Sequence, residues 1–286
     1  MTAREWLQKA KDEKFAIGAF NVGNLETFKA IVSAAANKKS PLIIESSPGE
    51  TSWLGSENIV DLARNFSAEF SVPVLVNLDH TETLEDCLKG IEAGYDMIHF
   101  DGSKLPLEQN LEIARKVVEA AHQRGLTVEV EMDHIGGSSE MHAGSVVDDL
   151  GKVPMTDPEK AALFMRDSGA DILAVFVGNL HGVYSAGDEN IDIERLRRIN
   201  EASGCLLSLH GASGLPDDQV KEAIQNGIVK VNINTELRLA FKEELTKVLA
   251  GSPDEAAMYK IEKPVVESIQ KVVEQKIEVF GSEGKI

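Results

Sequence analysis

The chain is poor in cysteine. Two, Cys87 and Cys205, occur in 286 residues, too few for a disulfide framework, so a reducing, cytoplasmic setting is expected. No run of 18 or more apolar residues exists to cross a bilayer. The opening Met1-Thr2-Ala3-Arg4-Glu5-Trp6 has no apolar signal core, which predicts a soluble, unprocessed protein. No block of Lys or Arg interrupts a formal net charge of −18, so nucleic acid and anionic membranes are excluded as partners. An anionic ligand would have to be met by local groups. Also missing is any linker-like stretch of Pro, Gly and Ser, and 43% hydrophobic with 27% charged residues is ordinary for a packed core. The expectation is one domain covering residues 1–286.

What is present is alternation. Short apolar, β-branched runs at residues 16–20, 42–45, 74–78, 97–100, 127–131, 172–177, 206–209 and 229–233 are separated by amphipathic stretches. Residues 107–124 and 217–226, for example, space apolar side chains at i, i+3, i+4 and i+7. The junctions Ala93-Gly94, Arg124-Gly125, Ser168-Gly169 and Asn226-Gly227 each place a glycine just past a helix, where the left-handed conformation ends it. Eight such units predict an α/β fold, a single (β/α)8 TIM barrel rather than a doubly wound sheet. Terminal helices are expected at residues 2–12 and 264–280. The glycine-rich stretch 132–155 is long for a βα connection and reads as a mobile active-site loop.

Polar residues gather where the predicted strands end: Asn21, Ser46 and Ser47, Asp79 and His80, Asp101, Glu131, His181, His210, Asn232 and Asn234. In a barrel these ends meet on one face, where active sites are built. Three neutral imidazoles with an open position suit a catalytic metal, so His80, His181 and His210 are candidate ligands. Glu131 is either a further ligand or a strand-end acid in an ion pair. Asp79 and His80 are neighbours, so their side chains are expected on different sides of the strand end. Asp79 is then a general base or an orienter of a histidine. Gly182 and the run His210-Gly211-Ala212-Ser213-Gly214 let backbone N–H groups approach an anion, and Asn232-Ile233-Asn234-Thr235 opens a helix whose N-terminus favours one.

Several of these segments in order, Asn77-Leu78-Asp79-His80, Asp101-Gly102-Ser103, residues 178–184, 209–216 and 229–238, resemble the class II ketose-bisphosphate aldolases, and the resemblance runs from Gly18 to Ser282. It implies a zinc-dependent barrel, dimeric or tetrameric, that cleaves fructose or tagatose 1,6-bisphosphate to dihydroxyacetone phosphate and an aldehyde. A monovalent cation accompanies the metal in that picture. Residue by residue, it implies that His80, His181 and His210 hold the metal, with Glu131 an alternative ligand. Asp79 is the acid/base at the sugar C4 hydroxyl. Gly182, Gly211, Ser213, Asn232, Asn234 and Thr235 match the site for the C1 phosphate and ketose; beside that match, Asn21 and Ser47 are further substrate-binding candidates, and Glu140, displaced by one place from the family's loop acid, is the candidate to protonate the carbon. The chain departs from the pattern in Thr81-Glu82-Thr83 after His80, in the loop run Gly136-Gly137-Ser138-Ser139-Glu140, in Ser185, and in an arginine absent near Met258-Tyr259-Lys260. A bisphosphate is still the expected substrate, with Lys260 or Lys263, here or from a neighbouring subunit, meeting the distal group. Otherwise the ketose 1-phosphate carries a different distal end. Two rivals stand beside this reading: a Schiff-base aldolase using Lys230, and a sugar-phosphate sensor without turnover.

Overall fold

The computed structural model describes residues 1–142, 154–184 and 190–286. Its strands are β1 (Ile17–Asn21), β2 (Leu42–Ser46), β3 (Val74–Thr81), β4 (Met97–Asp101), β5 (Thr127–Glu131), β6 (Gly137–His142), β7 (Ile172–Ala174), β8 (His181–Tyr184), β9 (Leu206–Leu209) and β10 (Ile228–Ile233). Eight of them close a parallel barrel in the order β1-β10-β9-β7-β5-β4-β3-β2, while β6 and β8 pair in a separate two-stranded sheet. The helices are α1 (Ala3–Glu13), α2 (Leu25–Lys38), α3 (Pro48–Leu54), α4 (Ser56–Phe70), α5 (Leu84–Ala93), α6 (Leu107–His122), α7 (Pro158–Ser168), α8 (Ile193–Ser203), α9 (Asp217–Gln225), α10 (Thr235–Gly251) and α11 (Met258–Phe280). The expected (β/α)8 TIM barrel is the observed fold, and the four junction glycines all have positive φ.

Boundaries differ at three places for local reasons. The strand expected to run to residue 177 stops at Ala174. There the Asn179 side chain takes over the backbone, accepting from the Val177 N–H at 2.8 Å and donating to the Val175 carbonyl at 3.1 Å. The final helix begins at Met258 and carries Pro264 inside it. It tolerates the lost N–H because Ile261, Val265, Ile269, Val273 and Ile277 form a continuous buried stripe. The third strand continues to Thr81 through an irregularity between Leu78 and Thr81 in its pairing with β4, at which His80 takes φ 48°. Of the expected loop at 132–155, residues 137–142 form β6, and residues 143–153 lie outside the described ones.

The barrel interior is layered, because inward side chains recur every second residue. At the amino end, α1 plugs the barrel. It starts with a capping box between Thr2 and Glu5 and lays Trp6, Leu7 and Ala10 against Ile17, Ile43, Leu75, Met97, Ile172 and Leu206. One step up the strands, the inward positions turn polar: Glu45 lies beside Asn77, His99 beside Glu129, and Ser208 beside Lys230. One further step brings Asp79, Asp101, Glu131, His210 and Asn232, all buried. This polar upper half is where the site forms.

Candidate active site and metal centre

The carboxyl ends of the strands open into a cavity of about 220 Å³ lined by Asn21, Ser47, Asp79, His80, His181, Gly182, His210, Gly211, Ser213, Asn232, Asn234, Thr235 and Arg238. Every substrate-binding candidate from the sequence stands on this lining. A second space of about 220 Å³, against Asp101 and Glu131, shares His80 and His181 as a wall. The side chain of Glu140 lies outside the described residues.

Each of the three predicted ligand histidines has one ring nitrogen anchored. His80 Nδ1 is 2.9 Å from Asp101 Oδ2, His210 Nε2 is 2.7 Å from Glu129 Oε1, and His181 Nδ1 is 3.3 Å from the Ile135 carbonyl. A carboxylate or carbonyl on one nitrogen fixes the ring and leaves the other for a metal. The other nitrogens of His80 and His210, Nε2 and Nδ1, face each other at 3.1 Å, and the His181 ring centre is 5.1 Å from that of His80. One ligand atom from each of Asp79, His80, His99 and His210 falls within 4.8 Å of the others, as does one from each of His80, Asp101 and Glu131. Glu131 Oε2, buried with no hydrogen-bond partner, is 3.7 Å from His80 Nδ1. Imidazoles with a spare carboxylate suit a divalent cation, and that orphaned oxygen fits its presence.

The protonation pattern agrees. Burial alone would depress His80, but the carboxylates of Asp79, Asp101 and Glu131 outweigh it and raise its pKa to about 10. Burial lowers His181 to about 4, helped by His80, and lowers His210 to about 3 against the pull of Glu129. In the metal-free protein the proton therefore sits where a cation would. Burial and Asp101 raise Glu131 to about 7. Asp79 is held well below the ordinary carboxylate range, since His80, His99 and His210 outweigh its burial.

Asp79 and His80 were expected on opposite sides of the strand end; both instead line the same cavity. The extra residue at the bulge and the left-handed His80 backbone turn the second side chain inward, a strained arrangement costing roughly 1–2 kcal/mol. Asp79 Oδ2 accepts from Asn21 Nδ2 at 3.3 Å. The Gly211 wall of the cavity is close-packed backbone: a Cβ on Gly211, which has φ 60°, would meet the Leu180 carbonyl at 2.2 Å, so only glycine lets these two segments approach this closely. Thr235 is the first residue of α10, placing a helix N-terminus beside Ser213 and Gly211.

Lys230 is not a poised nucleophile. It is wholly buried, its Nζ 2.7 Å from Glu45 and 2.8 Å from Glu129, and it donates to Asn232 Oδ1 at 2.9 Å. Burial would lower its pKa, but Glu129 and Glu45 prevail and raise it, locking the amine as an ammonium. Lys260 pairs with Glu255 at 2.9 Å, and Lys263 lines a separate surface cavity with Glu26 and Tyr259; neither lines the site cavity within this chain. The sequence reading missed His99, Glu129, Glu45 and Glu50. The first three carried a signal, polar residues two positions before an already singled-out strand end; Glu50 carried none.

The barrel and its histidine-carboxylate centre form a candidate divalent-metal site at the carboxyl ends of the strands, and comparison with known proteins supplies the family. The family described as "Fructose-bisphosphate aldolase class-II" matches residues 1–285. The chain belongs to that family. It is 39% identical to the fructose-bisphosphate aldolase of Streptococcus pneumoniae over 301 residues, spanning 100% of this chain and 99% of that protein. It is 36% identical to the D-tagatose-1,6-bisphosphate aldolase subunit GatY of Klebsiella oxytoca over 290 residues, with coverage of 100% and 99%. Among solved structures, the YdjI aldolase from Escherichia coli K12 superposes with TM-score 0.84 at 31% identity, covering 99% of this chain and 97% of that one.

Proposed function

We propose that this chain is a zinc-dependent lyase that reversibly cleaves fructose 1,6-bisphosphate or tagatose 1,6-bisphosphate to dihydroxyacetone phosphate and an aldehyde, glyceraldehyde 3-phosphate. The observation that carries the reading is the set of three imidazoles, each anchored through one nitrogen and with ring centres 4.8 to 6.0 Å apart, lining one cavity with the buried carboxylate of Asp79. His80, His181 and His210 would hold the metal, with Glu131 available from the adjoining space. When bound, the cation supplies Lewis-acid stabilisation of the negative charge that develops as the C3–C4 bond breaks.

The remaining work falls to the chain's own groups. The backbone of Gly182 and Gly211, Ser213 and the N-terminus of α10 orient the C1 phosphate. Asn232 Nδ2, 3.3 Å from His210 Nδ1, is placed to hold a ketose oxygen beside the metal ligands. Asp79, ionised and oriented by Asn21, takes the C4 hydroxyl proton as the bond to C3 breaks and the aldehyde carbonyl forms. Glu140 returns a proton to C3. The S. pneumoniae and K. oxytoca relatives are named for fructose- and tagatose-bisphosphate cleavage, and both sugars belong to this substrate class. The working form is a cytoplasmic homodimer or homotetramer, to be measured by sedimentation.

The test is cleavage of fructose and tagatose 1-phosphates and 1,6-bisphosphates by chelator-treated protein, before and after one equivalent of zinc. Activity should appear only with metal. A chelated protein with undiminished cleavage, or one trapped by borohydride with substrate, would point to the Lys230 route instead.

A further inference from the structure

The two walls assigned to the C1 phosphate are tied together by a carboxylate that stands outside the cavity. Ser213 comes from the glycine loop after β9 and Thr235 from the first turn of α10, and both line the cavity. Glu236 follows Thr235, and its Oε1 accepts from the N–H of Gly214, the residue after Ser213, at 2.8 Å. The same oxygen is 2.8 Å from Lys276 Nζ on α11. The Lys276 side chain is 11% exposed and that of Glu236 23%, so the pair is largely shielded from water. Asn234, the cap residue of α10, gives its side chain to the cavity lining rather than to a cap bond.

Two demands conflict here. A carboxylate in the first turn of a helix takes up the positive end of its dipole, the same end that a phosphate uses. In a chain of net charge −18, an unmatched acid next to both walls would repel a phosphate of roughly −1.5 to −2 charges. Removing the acid would untie the loop from the helix. We propose that Glu236 and Lys276 are positioning residues for the C1 phosphate: Glu236 fastens the glycine loop to α10, and Lys276 cancels the charge that this fastening brings to an anion site. The inference rests on the aldolase reading above, and neither residue touches the substrate. Because the C1 phosphate is held alike before and during bond breaking, losing Lys276 should raise KM and spare kcat.

The experiment uses zinc-loaded wild type, Lys276→Met, Lys276→Gln and Lys276→Met/Glu236→Gln. It measures KM and kcat on whichever of fructose and tagatose 1,6-bisphosphate wild type cleaves, following aldehyde release, and the inhibition constant of dihydroxyacetone phosphate. Lys276→Met should raise KM and the inhibition constant together by about tenfold, the scale of one unmatched charge in a partly shielded site. Its kcat and zinc content should stay near wild type. Lys276→Gln keeps a donor for Glu236 while losing the charge, and should show the same rise even where methionine unseats α11. In the double variant the glutamine carbonyl still accepts from Gly214 with no charge left to cancel, so most of the loss should be recovered. A purely structural role predicts the opposite, a double variant at least as impaired as the single one. That result, or a KM and inhibition constant within about twofold of wild type in both single variants, overturns the proposal alone. Failure of zinc-loaded wild type to cleave either bisphosphate overturns the aldolase reading and this inference with it.

Discussion

Lys230→Met removes the cation at the centre of the barrel's lower polar layer and leaves Glu45 and Glu129, both fully buried, facing each other across methionine. Removing one partner of a buried ion pair costs about 3–5 kcal/mol. With an unfolding entropy of about 2.1 cal/mol/K per residue, a 286-residue chain melts with roughly 0.6 kcal/mol/K, so the loss appears as a fall of about 5–8 °C in the melting temperature. The damage should also reach the metal. Glu129 bridges Lys230 and His210, and losing such a support typically weakens metal affinity by about 10–100-fold. Differential scanning fluorimetry of the metal-free protein and a competitive zinc titration read the two effects separately. Lys230→Met/Glu45→Gln, which removes one of the two facing carboxyl groups, should recover part of the melting temperature. A melting temperature within about 1 °C of wild type, with zinc affinity unchanged, would refute the reasoning that the buried cation holds the layer.

Three further outcomes are expected. Asp79→Ala should keep its zinc while cleavage slows by about two to four powers of ten, the scale of general acid–base help; loss of the metal, with activity recovered in excess zinc, would make Asp79 a ligand or orienter. Because His80 is raised to about 10 while His181 and His210 stay neutral, metal binding near pH 8 should release close to one proton through His80, and affinity should rise with pH until that proton is gone; calorimetry in buffers of different ionisation enthalpy would show no buffer dependence if His80 is neutral in the free protein. Cys87, whose thiol burial and Asp86 push up to about 12, should resist alkylation at pH 8 in the folded protein and react on denaturation; fast native labelling at Cys87 would contradict its burial.

Much of this was legible in the residues. Eight apolar runs with glycine-marked junctions specify the barrel, because the period-2 and period-3.6 patterns and the turn chemistry all agree. His80 and His210 were visible at the ends of barrel strands, which topology brings together, while His181 lies seven residues beyond the Ile172–Ala174 strand and opens a strand of the separate two-stranded sheet. The orientation of His80 was not visible, because a bulge with a left-handed residue breaks the alternation that sequence reasoning relies on. Glu129 and His99 were overlooked as members of strands read for their apolar partners, although each sits two residues before Glu131 or Asp101 and so faces the same way. Glu50 could not be read at all: as the third residue of a short helix it is a capping acid, and only the fold shows that its other oxygen meets Arg238.

The central claim is that His80, His181 and His210 converge on one metal that drives aldol cleavage. The most direct measurement is bound zinc per chain, by mass spectrometry, paired with ketose 1-phosphate cleavage by the same samples of wild type and His210→Ala. Wild type should hold one zinc that chelation removes together with activity, and His210→Ala should lose both. A His210→Ala protein that cleaves at the wild-type rate without bound metal would contradict the account.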